Sequence, residues 1–250
     1  MVGVEPCEAI ILRYTNYAEA DRIVTLLTKE YGVCSAFARN ARKSRRRFGG
    51  ALQPFNRVRV LWQRRRSGGM LQLAEIELLE AATPLLTDLE TLSLAAYGCE
   101  LVGALLPEQQ PVPDVYLVLE SFLTHLPKAQ SLPVVRLLLE LRLLKLAGLL
   151  PHIGHCAGCW ESLRDEWLLF DARRGGTLCP RCAPENNGVP VAAITLGSLV
   201  RLMRVDQQRF SGIRLSEQTL QQGGAMLHQT LACCVGRTLK SEQFLDQLYQ

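Results

Sequence analysis

The chain has 250 residues, 48% of them hydrophobic, enough for one to three compact units with true cores. Its formal net charge is only +4, yet residues 1–83 carry 14 Lys+Arg against 8 Asp+Glu, while the remainder carries 14 against 16. That asymmetry points the N-terminal part at a polyanion, and no apolar run approaches the ~18 residues of a membrane span.

Residues 7–80 read as strands. Residues 9–13 and 23–28 are rich in β-branched side chains, with residues 14–21 as the loop between them. Tyr31-Gly32 marks a turn before a strand at 33–38. Residues 56–62 alternate, with Arg57 and Arg59 on one face and Val58 and Val60 on the other. Ser67-Gly68-Gly69 reads as a hairpin turn, and residues 70–79 alternate again. Five short strands in this length fit an oligonucleotide-binding (OB) barrel; an SH3-like barrel fits the pattern as well.

Beyond Pro84 the chain becomes helical, with patterns over 89–106, 114–125 and 133–149. The last has one broad apolar face, with Gly148 and Pro151 at its end. A loop-rich insert at 155–182 contains a short strand at 167–170 and a Gly175-Gly176 turn. Three helical patterns close the chain, at 195–205, 216–239 and 241–248, with Ser216 and Ser241 as expected N-caps. The expected class is therefore α+β: an OB-type barrel over 1–83, then a helical domain over 84–250 carrying an insert at about 152–185.

The basic character is concentrated. Between Glu30 and Glu75 there is no acid, and eleven basic residues fall there: Arg39, Arg42, Lys43, Arg45, Arg46, Arg47, Arg57, Arg59, Arg64, Arg65 and Arg66. Phosphates call for such density, and the guanidinium fork suits them. Phe48, beside Arg47 and Gly49, is the most open candidate for stacking a base, whereas Phe55 and Trp62 read as barrel core. Gly49-Gly50 serves either close approach to a phosphate or a simple turn. The competing readings are a solubilising loop or a contact for an acidic protein. The residues do not separate DNA from RNA.

Cys156-Ala-Gly-Cys159, a gap of nineteen residues, and Cys179-Pro-Arg-Cys182 form the spacing of a zinc site. Each pair aims two thiolates at one point, and four sulfurs close a tetrahedron. Such a site leaves no open position for substrate water, so the Zn²⁺ would be structural. Two disulfides would need an oxidising compartment; Glu5, Glu8 and Arg13 interrupt any leader-like segment, so a cytoplasmic, reduced setting is expected. His152 and His155 read as surface or supporting residues, and Cys7, Cys34, Cys99, Cys233 and Cys234 as core or half-buried.

No catalytic signature stands out. A G-x-x-x-x-G-K-[ST] loop, H-E-x-x-H and G-x-S-x-G are all missing, and none of the four histidines neighbours a suggestive carboxylate. A non-enzymatic binder is expected. The rivals are an RNA-binding OB/zinc protein of the translation or transcription machinery and a metal-dependent enzyme.

Glu8-Ala-Ile-Ile-Leu-Arg13, Asp21-Arg-Ile-Val-Thr-Leu-Leu-Thr28, Arg47-Phe-Gly-Gly50, Leu52-Gln-Pro-Phe55 and the four late cysteines together resemble the bacterial RecO recombination-repair proteins. The resemblance runs over nearly the whole chain, though Asn40-Ala41 stands where many members carry a Gly-rich turn. It implies an OB barrel, a helical domain and a zinc-binding insert. It further implies a mediator that binds single- and double-stranded DNA and anneals complementary strands. With RecR, such a mediator helps load RecA onto strands coated by single-stranded DNA-binding protein (SSB). The acidic SSB tail docks on the family's helical domain, where Arg136, Arg142 and Lys145 could form a basic rim.

Overall fold

The computed structural model describes residues 2–3, 6–44, 47–64, 70–183 and 188–248. Contacts divide the chain into two units: Met1–Pro127 with Leu239–Gln250, and Lys128–Thr238.

The first unit is built on a barrel. Its strands are β2 (Cys7–Tyr17), β3 (Asp21–Thr28), β4 (Gly32–Ala38), β5 (Arg57–Arg64) and β6 (Leu71–Glu80), with a two-residue β1 (Val2–Gly3) added beside β5. Pairing runs β5-β2-β3-β4-β6, and β6 returns to β5, so the sheet closes on itself. Only the short β4–β6 pairing is parallel. Closure removes the free edges that an open sheet would expose. Inward-facing Ile11, Val24, Leu26, Val58, Val60 and Trp62 fill the interior, each worth about 1.5–3 kcal/mol of burial for Val- or Leu-sized side chains. The OB-type barrel expected from the strand pattern is present.

Two departures have clear causes. Residues 14–17 are not loop: they extend β2, pairing with β3 from Tyr14↔Val24 to Tyr17↔Asp21, and leave only a tight turn at 18–20. In β6, the register shifts between Leu61 and Trp62 of β5, so Trp62 faces Leu73 and Val60 faces Ile76. This bulge exchanges the inward and outward faces part-way along the strand. Leu71 and Leu73 are therefore buried while Glu75 and Glu77 stay exposed, although all four have the same parity. The Ser67-Gly68-Gly69 turn lies outside the described residues.

Three helices complete this unit: α1 (Leu89–Leu105), α2 (Pro113–His125) and, from the far end of the chain, α6 (Lys240–Leu248). Asp88 caps α1 by accepting from Thr91 N–H at 2.8 Å, as the N-cap preference requires. Ser241, expected as an N-cap, lies inside α6; its N–H and hydroxyl both donate to the Glu100 carboxylate of α1.

The second unit holds α3 (Leu132–Leu146), α4 (Ala193–Leu202) and α5 (Glu217–Val235), with a small sheet of β7 (Trp167–Asp171), β8 (Gly176–Leu178) and β9 (Val189–Ala192). Ser216 caps α5 as expected, accepting from Thr219 N–H. Helix α3 is buried on nearly every side rather than on one face, Glu140 and Arg142 included. Cys7, Cys34 and Cys99 are buried, but Cys233 and Cys234 are exposed near the end of α5, against expectation. Among the described residues no helix is long and apolar enough to cross a membrane.

Candidate nucleic-acid interface and metal centre

The chain between β4 and β5 is an amphipathic loop. Ala41, Phe48, Ala51 and Leu52 turn inward and join the barrel core. Asn56 anchors its return: the side-chain amide donates to Gly50 and Ala51 carbonyls, and its oxygen accepts from Ala82 N–H. The opposite end is laced to the β2–β3 hairpin. Asp21 accepts from Asn40 N–H at 2.7 Å, Arg42 N–H donates to Ala20 O at 2.9 Å, and the Arg42 guanidinium donates to Glu19 O at 3.1 Å. Asn40 makes this possible by adopting φ 57°, a left-handed conformation that Asn tolerates better than most residues. It thus does the work of a turn glycine.

With its apolar residues inside, the loop presents cations outside. Arg39, Arg42, Lys43 and Arg47 are all exposed. Arg47 donates to Arg39 O and lies 4.7 Å over the Phe48 ring. Arg45, Arg46, Arg65 and Arg66 lie outside the described residues, as does the side chain of Arg64, whose backbone closes β5.

Phe48 is corrected by the fold. It is 2% exposed in the barrel core, so no base can stack on it. Trp62 is core, as expected, and Phe55 is half-buried at φ 71°. Arg57 and Arg59 stand among carboxylates. Both point outward, but Arg57 meets Glu120 of α2 at 2.5 Å and Glu80 at 3.6 Å, and Arg59 meets Glu77 at 3.1 Å and Glu8 at 3.7 Å. The hydrogen bond that Arg57 donates to the Glu120 carboxylate raises the Arg57 pKa, against the opposing effect of burial. The acid-free stretch of sequence is therefore not acid-free in space: each of Arg57 and Arg59 has two carboxylates within 4 Å.

The hairpin contributes residues that the loop reading of 14–21 had passed over. Tyr17, 53% exposed, makes an edge contact with Phe37 of β4, ring centroids 5.6 Å apart at 78°. Extending the strand alternation through residue 17 is the signal that places this pair.

In the second unit, Cys156, Cys159, Cys179 and Cys182 come together with their sulfurs within 4.8 Å of one another. Cys159 and Cys179 Sγ are 3.8 Å apart, which is the edge of a tetrahedron whose metal–sulfur bonds are about 2.3 Å. Local turns build both knuckles: Trp160 N–H donates to Cys156 O, and Cys182 and Ala183 N–H donate to Cys179 O. Gly158 and Cys179 N–H donate to Cys156 Sγ at 3.4 and 3.3 Å. Burial pushes the Cys156 thiol up, but these N–H donors outweigh it and bring its pKa down to about 6. Hydrogen bonds to Cys159 and Cys179 hold the Cys182 proton, pushing it up to about 12. Four thiolates cannot ionise together without a cation, and the donor set suits a soft-accepting divalent ion. Arg181 pairs with Glu161, tying the second knuckle to the end of the first.

The knuckles are held against β8. His152 N–H donates to Gly175 O, His152 O accepts from Thr177 N–H, and Ala157 N–H donates to Thr177 O. His152 stacks with His155 at 5.8 Å and lies 4.8 Å from the Trp160 ring, so the histidines pack beside the cluster rather than complete it.

The expected basic rim on α3 is not there. Arg142 is 4% exposed, donates to the Asp206 and Arg209 carbonyls, and lies over the Phe210 ring. Burial lowers its pKa to about 10, with Asp206 opposing; the guanidinium stays charged at neutral pH. Arg136 pairs with Glu140 at 2.8 Å. Lys145 is exposed and donates to Met203 O. These side chains secure α3 within its own unit.

Residues 1–82 match the family described as Recombination protein O N terminal, and residues 86–243 match Recombination protein O C terminal. The chain is 43% identical over 241 residues to the DNA repair protein RecO of Syntrophotalea carbinolica, covering 96% of this chain and 93% of that one. It is 36% identical over 240 residues to the protein of the same name from Anaeromyxobacter dehalogenans, covering 96% and 94%. The namesake from Symbiobacterium thermophilum is 36% identical over 249 residues, with 96% of each chain covered. The chain belongs to the RecO family of DNA repair proteins.

Proposed function

We propose that this protein is a recombination mediator that binds single- and double-stranded DNA and anneals complementary strands without catalysis of its own. The observation that carries this reading is the loop of residues 39–56. Its apolar side chains are locked into the barrel, while Arg39, Arg42, Lys43 and Arg47 project into solvent, none in an ion pair with a carboxylate among the described residues. A rigid anchor beneath free cations is what a phosphate backbone requires, because the cations are held apart without being neutralised. Base pairing supplies the free energy of annealing. The protein's part is to lower the repulsion between two polyanions and hold them close.

In this reading the barrel segment, residues 1–83, handles DNA, and residues 84–250 serve partner proteins. RecR, the acidic SSB tail and, through them, RecA enter as partners through family membership. The four cysteines hold a structural Zn²⁺, with Cys156, Cys159, Cys179 and Cys182 as its ligands. Bound there, the ion supplies crosslinking between two knuckles and neutralises thiolate charge.

Annealing of SSB-coated complementary strands tests the reading. The wild-type protein should anneal them with no nucleotide present, and the Arg39, Lys43 and Arg47 triple Ala variant should anneal them slowly. Unchanged annealing by that variant would remove the loop from the mechanism.

A further inference from the structure

Two arginines flank the four-cysteine cluster, and they are not equivalent. Arg181 lies between Cys179 and Cys182 in the chain and is paired with Glu161. Arg174 has no carboxylate partner among the described residues. It comes from outside both knuckles, on the turn Ala172–Arg174 that joins β7 to β8. That turn is fixed at three points. Asp171 accepts from Arg173 N–H at 2.9 Å, Gly175 N–H closes onto Ala172 O at 3.0 Å, and Gln229 of α5 accepts from Ala172 N–H at 3.1 Å. The backbone that carries Arg174 is therefore set by the small sheet and α5.

From there the guanidinium reaches both knuckles. Nη1 donates to Cys182 O at 2.6 Å, which pins the second knuckle where the chain leaves it. Nη2 lies beside Gly158 of the first knuckle, 3.5 Å from the point where a Cβ would stand. That same point is 3.1 Å from Cys182 Cβ and 3.2 Å from Cys182 Sγ. A side chain at residue 158 would wedge the knuckles apart, so the bare glycine leaves the room in which Cys182 and the guanidinium close on it. Charge favours the same place. Four thiolates around a divalent ion leave two negative charges uncompensated, and Arg181 already answers Glu161. A planar fork that stays charged and donates in two directions suits this position better than an ammonium.

We infer that Arg174 is a positioning residue of the metal centre, holding the second knuckle at Cys182 O against the first at Gly158 and offsetting the charge of the thiolate set. It supplies no ligand atom and acts through the cysteines. This rests on the structural-metal reading above and adds to it the residue that keeps the two knuckles at closing distance. Outer partners of metal ligands typically set affinity by about 10–100-fold.

Competition for Zn²⁺ between the full-length protein and a colorimetric chelator, at one fixed pH, tests this. Arg174→Ala should hold zinc about 10–100-fold more weakly, and Arg173→Ala, one residue away on the same turn, as tightly as wild type. Arg174→Lys keeps the charge and a donor for Cys182 O, so it should recover most of the loss. With Co²⁺ in place of Zn²⁺, Arg174→Ala should keep the absorption of a tetrahedral four-thiolate centre, because every ligand is still present. Wild-type affinity in Arg174→Ala, an equal loss in Arg173→Ala, no recovery in Arg174→Lys, or a Co²⁺ spectrum that has lost a thiolate overturns the positioning role while leaving the metal site in place. A wild-type protein that takes up neither ion overturns the structural-metal reading and this inference with it.

Discussion

Arg39, Lys43 and Arg47 differ from Arg57 and Arg59 in what lies within reach of each guanidinium or ammonium, not in residue type. The first three have no carboxylate partner among the described residues, and the last two have two each. Replacing the first three by Ala should therefore weaken single-strand binding and reduce the slope of log K against log salt by about 2, at ~0.7 per phosphate contact. Arg59→Ala should leave that slope unchanged in the same titration. Arg142 makes the opposite point. Its charge was legible in the sequence but its burial was not. Arg142→Ala should cost about 1–3 kcal/mol by leaving buried carbonyls unpaired, read as a lower denaturation midpoint with no change in DNA affinity.

At the scale of elements, hydrophobic period and turn residues placed most strands and helices. The misses came where tertiary pairing overrode local composition. Residues 14–17 are polar enough to read as loop, but β3 offers them a partner at every position from Asp21 to Val24. Ser241 looks like a cap, but Glu100 recruits it from inside α6. Gly32, at φ 66°, is a turn residue in sequence and also a point of close packing. A Cβ there would collide with the Gln110 carbonyl. Gly32→Ala should destabilise the protein by more than the ~1 kcal/mol that backbone strain alone would explain, measured by thermal or denaturant unfolding. The cysteine knuckles are the element where sequence spacing and structure agree most closely. Cys179→Ser should abolish stoichiometric metal binding and increase protease cleavage within residues 150–183, because metal binding and folding of such a segment are one equilibrium. Full metal retention after that substitution would count against the structural-zinc assignment.

For the molecule as a whole, the charge asymmetry seen in composition resolves into surfaces of opposite character. A salt titration of annealing should fall steeply for the wild type and less so for the loop variant, since condensed counterions are released wherever free cations meet phosphate. The sequence by itself determined the α+β class, the four-cysteine cluster and the family, because hydrophobic period, cysteine spacing and motif order are local or ordered properties of the chain. Only the tertiary structure decided which cations are free, that Phe48 turns inward, and that Tyr17 and Phe37 meet. Alternation states which residues of one strand share a face. It does not state what the neighbouring strand or helix sets against them. Glu8, Glu77, Glu80 and Glu120 reach Arg57 and Arg59 from three other elements, and only strand register and helix docking bring such residues into contact.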